Sequence, residues 1–103
     1  MIGVIASIFV LIVELTVVPG QRDEFLEFVH DNLELSREYE GNIQFDVLVS
    51  EDKPDTVTFV ERWESKEAFE TYWAWREETG AVEGLMGYLT APPQRSEYEQ
   101  LFD

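Results

Sequence analysis

The first eighteen residues, MIGVIASIFVLIVELTVV, carry a single charge, Glu14, and a run like this has few destinations. It can cross a membrane, lead a chain out of the cell, or become a buried strand. A transmembrane helix needs about 20 consecutive apolar residues, and Gly3, Ser7, Glu14 and Thr16 interrupt this run. A signal peptide needs a positively charged leader and a small-residue cleavage site. Only Met1 precedes Ile2, and no such site comes before Pro19-Gly20. The residue types point to the third destination. Ile2, Val4, Ile5, Ile8, Val10, Ile12, Val13, Thr16, Val17 and Val18 are β-branched, which favours strand over helix. From Leu11 the pattern alternates, with Leu11, Val13, Leu15 and Val17 on one face. The prediction is a long or bulged strand ending at the turn Pro19-Gly20, with residues 1–10 as its N-terminal extension.

Further along, the hydrophobic period changes. In QRDEFLEFVHDNLELSREYEG, the residues Phe25, Phe28, Val29, Asn32, Leu33 and Ser36 recur at helical spacing, and acids fill the opposite side. This predicts an amphipathic helix that stops at Glu40-Gly41. NIQFDVLVS alternates again, with Ile43, Phe45, Val47 and Val49 on one face. The polar turn EDKPD, broken by Pro54, joins it to a strand TVTFVERW, whose inner face is Val57, Phe59, Glu61 and Trp63. So short a link predicts an antiparallel hairpin. Ser65 is a suitable N-cap for a helix KEAFETYWAWREET ending at Gly80. AVEGLMGYL predicts a short third helix, and SEYEQLF, after Pro92-Pro93, a last strand. The order β-α-β-β-α-(α)-β is that of an α+β, ferredoxin-like split β-α-β fold, an antiparallel sheet with helices on one face. The opposite face is partly apolar and calls for a cover, which a second copy can supply.

Composition narrows the function classes. The chain of 103 residues predicts one domain, and its 22 acids against 7 bases give a net charge of −15. Such a surface repels phosphate backbones and anionic lipid, so no nucleic acid and no membrane are expected as partners. Either ordinary solubility or a high-salt habitat accounts for the charge. There is no cysteine, which removes disulfides and thiolate metal sites and fits a cytoplasmic location. One histidine, His30, is too few for an imidazole-built metal or haem site.

Three stretches carry a resemblance: ELTVVPGQRDEF, EGNIQFDV and, most specific, TFVERWESKEAFETY, a strand ending in Glu-x-Trp before a Ser-capped helix. From Ile12 to about Leu101 the chain resembles the antibiotic biosynthesis monooxygenase (ABM) domain family of the dimeric α/β-barrel superfamily. The resemblance implies a homodimer joined through its sheet faces and a cleft between sheet and helices in each subunit. It implies an activity like that of members that oxygenate quinols or polycyclic phenols without a cofactor. Other members degrade haem or handle small signalling molecules. The second helix here, ETYWAWREETG, has no histidine to ligate haem iron, and the third strand has Phe59 where the family usually has a polar asparagine.

The residues themselves nominate a site. Glu61, a carboxylate on an apolar strand face, is a candidate general base, or a structural carboxylate paired with Arg76. Arg76 shares the second helix's aromatic face with Phe69, Tyr72 and Trp73. A guanidinium there must pair, stack or meet a ligand anion. Tyr72 offers a hydroxyl to a substrate oxygen. Asn32, in the apolar stripe of the first helix, must bond backbone, water or ligand. Trp63, Phe69 and Trp73 are candidate walls against a planar ring, with Trp63 better suited to the core, as an aromatic clamping strand to helix. The combined expectation is a cofactor-free, metal-free monooxygenase acting on a small phenol or quinol, with Glu61, Arg76 and Tyr72 catalytic. Asn32, Trp63, Phe69 and Trp73 would bind substrate. The alternatives are a non-catalytic small-molecule-binding module and a structural dimer whose cleft is filled.

Overall fold

The computed structural model describes residues 7–102. The elements run β1 (Ile8–Thr16), α1 (Arg22–Glu38), β2 (Asn42–Ser50), β3 (Lys53–Trp63), α2 (Lys66–Glu78), α3 (Ala81–Met86) and β4 (Gln94–Gln100). The strands form one antiparallel sheet in the order β2-β3-β1-β4. This is the ferredoxin-like α+β arrangement expected from the sequence. The part of the expected first strand that falls on residues 1–6 lies outside the described residues.

The alternation of β1 decides which face is buried. Phe9, Leu11, Val13, Leu15 and Val17 turn inward and are all buried. On β3 the matching inward set is Val57, Phe59, Glu61 and Trp63, also buried. Register places Leu11 beside Glu61 and Val13 beside Phe59. Onto this face pack Phe25 and Val29 of α1, and Phe69 and Tyr72 of α2. The Ser65 hydroxyl accepts from the Ala68 N–H at 3.0 Å and starts α2 where its residue type predicted. Gly41 is required twice over. Its φ is +91°, and a Cβ there would stand 2.7 Å from the Ala68 Cβ, so glycine lets α1 turn into β2 directly beneath α2.

Two boundaries and the facing of one side chain differ from expectation. The β2–β3 turn is tighter than EDKPD, because Ser50 pairs with Lys53 and Pro54 falls inside β3. Pro54 has no N–H to donate, and it lies at the end of the strand where that costs little. β4 begins at Gln94, two residues earlier than read, and Leu101 and Phe102 lie beyond it and are exposed. Ile43 does not share a face with Phe45: a bulge between Asn42 and Gln44 shifts the register and sends Ile43 to the outer side.

The outer face of the sheet carries Ile8, Val10, Ile12, Ile43 and Tyr98 around one shallow concavity. Leu48 and Tyr98 there are about half exposed, at 49% and 54%. No helix among the described residues is long and apolar enough to cross a membrane.

Candidate active site

Between the inner face of the sheet and the three helices lies a cavity of about 230 Å³. Its floor is Leu11, Val13 and Leu15 of β1 with Phe45 and Phe59, and its roof includes Phe28, Val29 and Leu33 of α1. Short α3 closes one end with Val82 and Leu85. The filled-cleft alternative does not describe this chain. Into these apolar walls project a few polar groups: Glu61, Arg76, Tyr72, Asn32, Ser36 and Arg95.

Arg76 is 5% exposed. Its Nε donates to the Tyr72 hydroxyl at 3.1 Å, and its Nη2 donates to the Ser36 Oγ at 2.8 Å and to the Asn32 carbonyl at 2.7 Å. Its guanidinium lies 4.7 Å from the Trp75 ring centroid and 5.4 Å from that of Tyr72. Ser36 and Tyr72 share a further hydrogen bond of 2.7 Å. All of these partners are neutral. Among the described residues the ion pairs involve His30, Lys53 and Lys66, so Arg76 is a buried cation with no carboxylate beside it. The alternative of a structural Arg76–Glu61 pair is therefore corrected: the guanidinium bonds Ser36 and the Asn32 carbonyl of α1, and no ion pair with Glu61 forms. Nη1 has no hydrogen-bond partner among the described residues, and Arg76 forms part of the cavity wall.

Glu61 is 4% exposed, and its Oε1 accepts from the Trp63 Nε1 at 3.0 Å. Burial among apolar side chains pushes its pKa up from 4.5 to about 7, against the opposing pull of the Trp63 hydrogen bond and the Arg95 charge. A carboxylate that titrates near neutrality can take up a proton and release it at working pH. Burial also raises the pKa of Tyr72, ahead of the lowering effects of Ser36 and Arg76. The phenol therefore stays protonated.

The remaining candidates divide. Phe69 and Trp73 line the cavity, their rings stacked with centroids 6.1 Å apart. Asn32 also lines it, but its Nδ2 donates to the Phe28 carbonyl at 2.8 Å, so its own helix satisfies that amide donor. The placement of Trp63 in the wall is corrected. Trp63 does not line the cavity: it is fully buried in the core, its indole N–H donating to Glu61 and its ring packed 4.7 Å from the Tyr72 centroid and 5.9 Å from the Phe69 centroid. His30 is a surface residue beside Asp31. No group of three or more potential metal ligands occurs among the described residues.

Two participants escaped the sequence reading. Ser36 was placed only by its spacing in the apolar stripe, and the approach of α2 makes it a partner of Arg76. Arg95 was hidden because the last strand was started at Ser96. Placed opposite Val13 in the register, it faces inward. Its guanidinium lies 5.1 Å from the Phe69 ring centroid and 5.7 Å from that of Trp73.

Comparison with known proteins agrees with this architecture. A conserved protein of Methanosarcina mazei Go1 superposes with a TM-score of 0.84 at 17% identity, covering 93% of this chain and 95% of that one. A Mycobacterium tuberculosis protein gives 0.82 at 18% identity, covering 94% and 98%. A Nitrosomonas europaea protein named for the antibiotic biosynthesis monooxygenases gives 0.77 at 24% identity, covering 98% and 97%. At these identities the likeness establishes the fold. No curated protein matches the chain significantly. The profile of the antibiotic biosynthesis monooxygenase family matches residues 8–83. With that profile spanning most of its length, the chain belongs to the antibiotic biosynthesis monooxygenase family.

Proposed function

We propose that this cavity binds a small phenol or quinol as its anion and oxygenates it without a cofactor. The observation that carries the proposal is Arg76, a buried guanidinium at the cavity wall with no carboxylate partner among the described residues, in a chain of net charge −15. Burying a cation without a counter-charge costs several kcal/mol. With acids so abundant, a cation left unpaired beside a cavity suits an anion supplied from outside.

The chemistry follows from the groups present. Glu61, ionised at and above neutral pH, takes the phenol O–H proton. Arg76 and Tyr72 hold the resulting phenolate oxygen, the kind of fixed electrostatic stabilisation that usually contributes most. The electron-rich ring carbon passes an electron to dioxygen, and recombination forms a carbon–oxygen bond. Loss of the proton on that carbon with cleavage of the O–O bond leaves a carbonyl. The second oxygen departs as water, using the proton held by Glu61. The electrons lost by the ring are those gained by dioxygen, so no other reductant is required. Phe69, Trp73 and the aliphatic floor keep bulk water away.

The working unit in this reading is a homodimer, as is typical of the family, joined through the outer faces of the two sheets and located in the cytoplasm. Ile8, Val10, Ile12, Ile43 and Tyr98 give that face its apolar character.

Oxygen uptake with a panel of mono- and bicyclic quinols tests the proposal. The expected result is uptake by wild type and a fall of about a hundredfold in kcat for Arg76→Met, the usual scale for losing an oxyanion donor. Anaerobic binding of the same quinols with no oxygen uptake would replace the enzyme by a binding module. Uptake unchanged in Arg76→Met would overturn the role of the guanidinium.

A further inference from the structure

Two of the chain's seven basic residues line one cavity, Arg76 and Arg95, and neither has a carboxylate within ion-pair distance among the described residues. A single acid, Glu61, accompanies them in that wall, although the chain has 22 acids to place. The cavity is therefore a positive spot inside a strongly negative protein.

The two arginines approach from different sides. Arg76 sits on α2 and reaches toward α1, where Asn32 and Ser36 hold it. Arg95 comes from β4, the edge strand at the opposite end of the sheet from β2. It is exposed, yet it does not extend freely into solvent: its flat group lies over Phe69 and Trp73, themselves cavity walls. Stacking of this kind holds a guanidinium in place while leaving its N–H rim available. An arginine that only improved solubility would make no sense in a chain already at −15. An arginine that only neutralised Glu61 would be expected to touch it, and no ion pair between them forms. The cavity that both cations line, about 230 Å³ in all, exceeds the roughly 150 Å³ in which a benzene is held. A two-ring aromatic is the fitting size.

We propose that Arg95 is a specificity-determining contact at the cavity mouth, and that the ligand is a bicyclic hydroxyaryl carboxylate, its hydroxyl at Arg76 and its carboxylate at Arg95. The inference rests on the cavity being a ligand site, the part of the proposed function that precedes any chemistry. It does not require turnover.

The test is anaerobic titration calorimetry with 6-hydroxy-2-naphthoate and 2-naphthol, on wild type and Arg95→Gln. Wild type is expected to bind the carboxylate at least about tenfold more tightly, with the preference shrinking as salt rises. Arg95→Gln is expected to abolish the preference and leave 2-naphthol affinity within about twofold. A thermal melt confirms that the exposed substitution leaves the fold intact, and Arg95→Lys, retaining charge without the planar fork, should give an intermediate preference. Equal wild-type affinity for both probes overturns the proposal while leaving the cavity a ligand site. So does an Arg95→Gln effect on both probes alike, which would reduce Arg95 to a support for Phe69 and Trp73. If neither probe binds, the proposed function falls with it.

Discussion

Ionisation of buried Glu61 makes the folding stability of this protein fall with rising pH in a calculable way, and replacing it with glutamine removes that dependence. Glu61 is 4% exposed, and its pKa is raised from 4.5 to about 7, chiefly by burial. An acid whose folded pKa lies above its unfolded value binds its proton more tightly when folded. Its contribution to stability is full below the unfolded pKa and is lost as pH rises through the folded one. Linkage over these two values gives a loss of about 2.5 kcal/mol between about pH 5 and about pH 8. Glutamine has nearly the same shape, and its carbonyl oxygen can still accept from the Trp63 Nε1, but it does not titrate. The other acids, mostly exposed, are common to both proteins and cancel in the difference. Urea unfolding of wild type and Glu61→Gln at half-unit pH steps should therefore give two curves that diverge. The variant should gain about 2.5 kcal/mol on wild type across that window. A difference curve flat to within about 0.5 kcal/mol would refute the reasoning, because Glu61 would then ionise as an exposed glutamate does. If Glu61 is the base of the proposed reaction, the same ionisation arms it, so turnover by the wild type should rise through pH 7 as stability falls.

Trp63→Phe removes the N–H donor that pulls the Glu61 pKa down; the midpoint of the pH–rate profile should move to higher pH, read from kcat/KM. Gly41→Ala should destabilise by about 2 kcal/mol in thermal or urea unfolding, since it combines a positive φ with a Cβ 2.7 Å from that of Ala68. Leu48→Glu, on the exposed apolar face of the sheet, should shift the mass measured by light scattering from dimer to monomer; an unchanged dimer would place the interface elsewhere.

Much of this protein can be read from period alone. The alternation in Leu11, Val13, Leu15 and Val17, repeated in Val57, Phe59, Glu61 and Trp63, names the inner face of two strands, because side chains on a strand point to opposite faces in turn. The stripe from Phe25 to Ser36 and the face shared by Phe69, Tyr72, Trp73 and Arg76 follow just as directly from the turn of a helix. Ser65 and Gly41 announce themselves as a cap and a turn. Period also put Glu61, Tyr72 and Arg76 on faces that had to be buried. Local pattern fails where one residue is inserted or the pattern weakens. The bulge at Ile43 inverted that side chain, and β4, whose alternation is Arg95, Glu97 and Glu99, carries no apolar signal to mark where it starts.

What each buried polar group touches was decided only by the tertiary structure. A sequence places Arg76 on the inner face but says nothing of how far the next element stands from it. Here α1 comes close enough to offer Ser36 and Asn32, while Glu61 is held back by Trp63. The cavity has the same origin. It is the volume that the three helices, with α3 brought against Phe28 of α1 at Gly84, leave unfilled above the sheet. Residue type and period fix direction along one element, whereas distances between elements come from packing all of them at once.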